Sequence, residues 1–182
     1  MLKKIVIGVL AVVVAAVGTI CALAATKPDV FRVERSATIQ APAENIYALI
    51  NDFHKWNQWS PFEKLDPNMK RTFSGPESGI GSVYQWDGNN DAGSGRMEIA
   101  EAESPKKIRI KLDFTKPFEA NNIAEFVMVP EGDATKVTWS MEGKNNFMCK
   151  VISVVCSMDD MVGKEFTTGL NNLKAITETP KS

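Results

Sequence analysis

The chain has 182 residues, a formal net charge of -1, 44% hydrophobic and 24% charged residues. After an apolar first segment, roughly 150 residues remain, enough for one domain with a sizeable core and too few for two. Lys and Arg are scattered among Asp and Glu, so the basic stripe of a nucleic-acid binder is missing, and nucleic acid is set aside as a partner.

Residues 5–25, IVIGVLAVVVAAVGTICALAA, carry no charge. At about 1.5 Å per residue they reach roughly 30 Å, the thickness of a bilayer's hydrocarbon core. Lys3 and Lys4 precede this run, which puts the N-terminus in the cytoplasm and the rest on the extracytoplasmic side of the inner membrane. A cleaved secretory signal is the rival reading, since Ala22-Leu23-Ala24 has the small-x-small form of a cleavage site. The length of the apolar run favours a retained single-pass anchor, and both readings export the domain. Ile20 is too bulky before Cys21 for a lipoprotein site. The chain thus divides into a membrane segment at 1–26, a linker at 27–30, a domain at 31–178 and a tail at 179–182.

Residues 31–39 alternate apolar and polar and predict a strand. Pro42, Glu44 and the spacing of Ile46, Leu49 and Ile50 predict a short amphipathic helix ending near Asp52. The aromatic stretch FHKWNQWSPF at 53–62 reads as a packed turn or short helix. A weak strand near Met69 to Phe73 comes next, followed by period-two segments. Tyr84 and Trp86, Met97 and Ile99, Ile108 to Phe114, Phe126 and Met128, and Val137, Trp139 and Met141 share one face, with polar residues opposite. Gly, Asn, Asp and Pro fill the joints, which gives an antiparallel meander of about seven strands.

From Phe147 to Leu173 apolar residues recur at three and four, predicting one long amphipathic helix or a helix broken near Asp159 to Gly163. Laid across a strongly twisted sheet, such a helix meets the apolar face at its edges and need not fill the middle. A cavity is the expected result, with a fully packed core as the alternative.

Particular residues sharpen this outline. Val33-Glu34-Arg35-Ser36 through Ile39 to Glu44, Asn51 to Trp56 with Trp59-Ser60-Pro61-Phe62, and Gly79-Ile80-Gly81-Ser82 fit one known pattern. So do Gly93 to Met97, Thr135 to Met141 and Gly169 to Lys174. Over residues 31–178 the sequence resembles the SRPBCC superfamily, in its polyketide-cyclase/dehydrase-like branch. The resemblance implies an α+β helix-grip fold shared with START domains and the birch-pollen allergen, a curved sheet wrapped on a long C-terminal helix. It also implies either a carrier or an enzyme of the cyclase, aromatase or dehydratase kind.

Tryptophans and methionines on the inward faces carry the cavity expectation, because ligand pockets favour large amphipathic walls and adaptable thioethers. The expected lining is Trp59, Tyr84, Trp86, Met97, Ile110, Phe126, Met128, Trp139, Met141, Met158 and Val162, with Trp59 and Trp86 foremost. Its occupant would be an apolar or lipid-like molecule, with no cofactor and no metal. His54, the one histidine, reads as a surface residue without a triad pattern. Arg96, Glu98 and Asp113 point outward in the same strand phasing, and Asp159-Asp160 reads as a solvated turn. Gly93-Ser94-Gly95 lacks the following helix and lysine of a phosphate loop. Cys149 and Cys156 lie about 10 Å apart along a helix, too far for a disulfide, and read as buried thiols. An envelope interaction module remains a third reading, should the core be solid.

Overall fold

A computed structural model describes residues 2–145, 147–155 and 158–179. Helix α1, Leu2–Ala25, is followed by strand β1, Val30–Ile39, helix α2, Ala43–Ile50, and two 3-10 turns, Phe53–Gln58 and Pro61–Lys64. Strands β2 (Lys70–Ser74), β3 (Val83–Asp87), β4 (Ser94–Glu103), β5 (Lys107–Lys116), β6 (Ala120–Glu131) and β7 (Ala134–Lys144) come next, then helices α3 (Phe147–Val155) and α4 (Met158–Glu178).

All seven strands form one antiparallel sheet in the order β1-β7-β6-β5-β4-β3-β2. From β2 onward each strand pairs with the next, and Gly132, at φ 64, supplies the left-handed residue that closes the tight β6–β7 turn. The one long-range pairing, β1 with β7, places the start of the domain beside its end. Register shifts between β4 and β5, at Ser94/Gly95 and Ile99/Glu101, bend the sheet where bulges increase local twist. The curved sheet holds α4 against β1 in the helix-grip arrangement.

The inner face follows the period-two pattern. On β6, Asn122, Ala124, Phe126 and Met128 are buried while the residues between them are more open. Cross-strand rows stack these residues: Ile108, Phe126 and Trp139 form one row, and Ile110, Ala124 and Met141 the next. Against the first row pack Trp56 and Trp59 from the 3-10 turn and Phe166 from α4.

Local chemistry fixes the turn that carries the tryptophans. The Asp52 carboxylate accepts the backbone N–H of His54 at 3.0 Å, starting the first 3-10 turn. Trp56 and Trp59 then donate their indole N–H groups to the Ile50 and Leu49 carbonyls, at 2.9 and 3.3 Å, near the C-terminus of α2 where helical carbonyls lack partners. Asn172 on α4 donates to the Trp59 carbonyl at 2.8 Å and so ties the turn to the gripping helix.

The C-terminal segment, expected as one long helix or a helix broken near Asp159 to Gly163, is helical over α3 and α4 and runs without interruption from Asp159 to Gly163. Only α4 grips the sheet, while α3 packs along α1. Two features hold α4 on the sheet. Gly169 leaves room for the edge of the Trp139 ring, where a Cβ would come within 2.7 Å, and Arg35 on β1 donates two hydrogen bonds of 2.7 Å to the Asp159 carboxylate. Asp159 is therefore engaged rather than merely solvated, and that fork holds its carboxyl below the usual range. Cys149 on α3 is half-buried; Cys156 lies outside the described residues.

Candidate functional site

A cavity of about 120 Å³ opens between the sheet, the second 3-10 turn and α4, and its lining is almost wholly apolar. Its origin is legible in the rows of the sheet. Where Phe126 stands in one row, Ala124 stands in the next, so the inner wall becomes shallower by a phenyl ring, and the void lies over it. Ala92 is a second alanine on the wall. Gly95 backs it, because a Cβ there would collide with the Trp86 ring.

The first 3-10 turn supplies Trp56, and the second with its flanking residues supplies Ser60, Phe62, Glu63, Leu65 and Met69. Strands supply Tyr84, Trp86, Met97, Leu112, Phe114, Trp139 and Met141, and α4 supplies Val162 and Phe166. Trp86 lies 6.0 Å from Tyr84 in a stacked pair and meets Phe114 edge-on at 5.6 Å, building one aromatic side. The opposite side is the Trp139–Phe166 stack, with centroids 4.0 Å apart. The Trp86 indole N–H donates to the Ala92 carbonyl at 3.0 Å. Trp139 Nε1 and Ser60 Oγ are buried and have no hydrogen-bond partner among the described residues.

One part of the wall is polar. The Glu63 side chain is only 8% exposed; its Oε1 accepts the Tyr84 hydroxyl at 2.6 Å and its Oε2 accepts Arg71 Nε–H at 2.7 Å. Arg71 is not on the wall and reaches the carboxylate from behind, with its other nitrogens donating to the Met69 and Glu63 carbonyls at 2.8 and 3.1 Å. A buried carboxylate is tolerable in such a place only with a paired charge and filled lone pairs. Burial, and then the bond to Glu63, push the Tyr84 phenol well above its ordinary range, so it stays protonated at neutral pH.

Of the residues expected to line a cavity, Tyr84, Trp86, Met97, Trp139, Met141 and Val162 border it. Trp59, Ile110, Phe126 and Met128 do not, and for each the reason is packing. Trp59 is fully buried under the turn, with Phe126 and Trp139 edge-on to it, and Phe126 stacks on Trp139. Ile110 and Met128 are sealed in the same core. The Met158 side chain lies outside the described residues, as does that of Met161. Glu63 and Arg71, which sequence reasoning missed, belong to a turn and to the weak strand β2. No spacing links them to Tyr84, because each stands on a different element.

His54 does not border the cavity; its ring stacks on Phe73 at 4.2 Å and its Nδ1 lies 3.1 Å from Asp52. Arg96 and Glu98 pair at 2.6 Å away from the cavity, and Asp113 accepts from Asn121 at 2.7 Å. Among the described residues no group of three His, Cys, Asp or Glu side chains is placed to hold a metal ion.

A curved antiparallel sheet and a C-terminal helix around an apolar hollow define a helix-grip ligand-binding domain. The family model described as "Polyketide cyclase / dehydrase and lipid transport" matches residues 30–178, and the chain belongs to that family, within the SRPBCC superfamily. That family includes cyclases and lipid-binding members, and its fold serves hydrophobic small molecules in general. Among solved structures, norcoclaurine synthase from Thalictrum flavum, in complex with dopamine and hydroxybenzaldehyde, is similar at a TM-score of 0.64 and 10% identity, covering 84% of this chain and 89% of that one. Major latex-like protein 151 from Panax ginseng gives 0.60 and 14%, covering 84% and 100%. A protein from Chromobacterium violaceum gives 0.59 and 14%, covering 85% and 100%. At these identities the likeness shows the fold. No curated protein matches the chain significantly.

Proposed function

We propose that this protein binds a small apolar molecule in the cavity of a membrane-anchored domain. The observation that carries this reading is the cavity itself, an apolar hollow of about 120 Å³ between the sheet and α4. It has room for on the order of ten waters, and a polar solvent gains little from so apolar a wall. The volume suits a compound of one or two rings, or the end of a longer chain, and is below the roughly 300–1,000 Å³ of ordinary drug-sized sites.

The anchor is argued from two segments together. Val6–Ala25 is long and apolar enough to cross a bilayer, with mean hydropathy 2.8. Helix α3, FMCKVISVV, packs along it, and its one charged residue, Lys150, is paired with Asp29 in the linker at 2.6 Å. Asn145 adds hydrogen bonds to the Asp29 and Pro28 carbonyls at 2.8 and 3.1 Å. A leader destined for removal would leave the apolar α3 uncovered, which supports retention. Expressed in a bacterium, the chain should stay in the membrane pellet through alkaline carbonate washing and show its full mass. A soluble chain beginning near Thr26 would instead make the segment a cleaved signal.

The ligand reading predicts that native mass spectrometry of the full chain, released gently from detergent, shows a bound small molecule or uptake of added alkylphenols and alkylbenzenes. Failure to take up any of these, with no co-purifying ligand, would count against it. Acid–base chemistry on the bound molecule is the second reading, favoured by one observation: two ionisable groups, Glu63 and Tyr84, meet on the wall. Recovery of the ligand unchanged after long incubation would oppose it.

A further inference from the structure

The strand register fixes which end of the domain lies beside the anchor. Four residues separate the end of α1 at Ala25 from the start of β1 at Val30, a span of at most about 14 Å. That linker is pinned to the domain: Lys150 pairs with Asp29 at 2.6 Å, and Asn145 donates to the Asp29 and Pro28 carbonyls at 2.8 and 3.1 Å. One continuous row crosses the sheet at this end, through Phe31, Gly143, Asn122, Leu112, Met97 and Tyr84. Beyond it on the anchor side stand Phe114 and Trp86, and then the β5–β6 hairpin, whose tip carries Phe118.

Two observations give this end a partner. Phe118, 62% exposed, and Phe147, 56% exposed, are the most exposed phenylalanines among the described residues, and both belong to it, Phe147 following the pinned Asn145 by two positions. The cavity also opens here. Phe114 and Trp86, its outermost wall residues on the sheet, are half-buried and meet edge-on at 5.6 Å, while deeper in Ala124 and Met141 are 4% exposed and Trp139 is 3% exposed.

We infer that the anchor-side end of the sheet rests on the bilayer, with the Phe118 hairpin set into its interfacial layer, and that the cavity opens into lipid rather than into water. The inference rests on the anchored, ligand-binding reading and deepens it by naming the source of the ligand, an apolar molecule dissolved among the lipids. Such a molecule passes from one apolar phase to another and is spared exposure to water on the way. Lys116 and Glu119 flank the tip with opposite charges, so the contact draws on burial of the Phe118 ring and not on attraction to anionic headgroups.

The test uses the full chain in vesicles of bacterial phospholipid, with photoreactive p-benzoylphenylalanine replacing Phe118 at the tip, Phe114 at the mouth or Val129 in turn. Val129 is also exposed, but it lies on β6 toward the opposite end of the sheet. Illumination is expected to add the mass of one phospholipid to the chain from positions 118 and 114, and not from 129. Should the Phe114 variant fail to fold, tryptophan emission of the native chain decides the same point: lipids brominated high on their acyl chains should quench it, and Trp86→Phe should remove most of that quenching. An adduct at 118 alone, without such quenching, overturns the opening of the cavity into lipid. No adduct at 118, or equal adducts at 118 and 129, in a chain that stays in the vesicles overturns the whole inference and leaves the anchor standing. A chain recovered outside the vesicles without its first segment overturns the anchor reading and this inference with it.

Discussion

Replacing Trp139 by alanine is expected to cost the domain about 3–5 kcal/mol, the range for deleting a large buried aromatic. The indole is 3% exposed and stands where three layers meet. It stacks on Phe166 of α4 at 4.0 Å and 9°, and on Phe126 of β6 at 4.8 Å and 28°. Trp59 and Phe62 meet it edge-on at 5.5 and 6.1 Å. Gly169 exists, in effect, to let α4 come down on this ring. Removing it takes away the surface on which the helix rests, and the space joins a void already present, so local collapse does not refill it. For a domain of this size the melting temperature should fall by roughly 6–20 °C. Trp139→Phe should be far milder, since it keeps a ring on the stack and removes an indole N–H that has no partner among the described residues. Trp86→Ala should also cost less, because Trp86 is only partly buried. Thermal denaturation of the three variants side by side checks the order, and a Trp139→Ala variant no less stable than Trp86→Ala would refute it.

The sheet was readable because its residues obey a period of two over long stretches, and burial on one face enforces that period. Ile108, Ile110, Phe126, Met128, Trp139 and Met141 all face inward as their alternation requires. Which inward residues border empty space was not readable, since alternation gives the face and not the depth. Phe126 and Ala124 are equivalent in the pattern, yet one fills its row and the other opens the cavity. Trp59 misleads for a related reason: an aromatic with a polar handle suits a pocket wall, but its N–H is needed by the Leu49 carbonyl, and that fixes it inside the core. The helix pattern from Phe147 to Leu173 is continuous in period, so it hides that α3 and α4 face different partners. Glu63 was invisible because its environment is assembled by Arg71 and Tyr84 from two other elements.

Ala124 offers the cleanest separation of cavity from fold. It lies between Ile110 and Met141 across the sheet, 4% exposed, with its methyl on the cavity wall. Ala124→Leu adds three carbons directed into the void, and each buried methylene contributes about 0.8 kcal/mol where space exists to receive it. Overpacking normally costs about 1–3 kcal/mol, but that penalty arises in filled cores, and here the neighbouring space is open. The expected result is a melting temperature unchanged or raised, together with a loss of 4-propylphenol affinity of about tenfold or more, since the leucine side chain and the ring claim the same volume. Dialysis and thermal denaturation on one preparation read both quantities. A variant that melts normally and still binds with native affinity would place the ligand elsewhere on the molecule; one that loses binding while gaining stability would locate it over Ala124, in the step where the sheet trades a phenyl ring for a methyl.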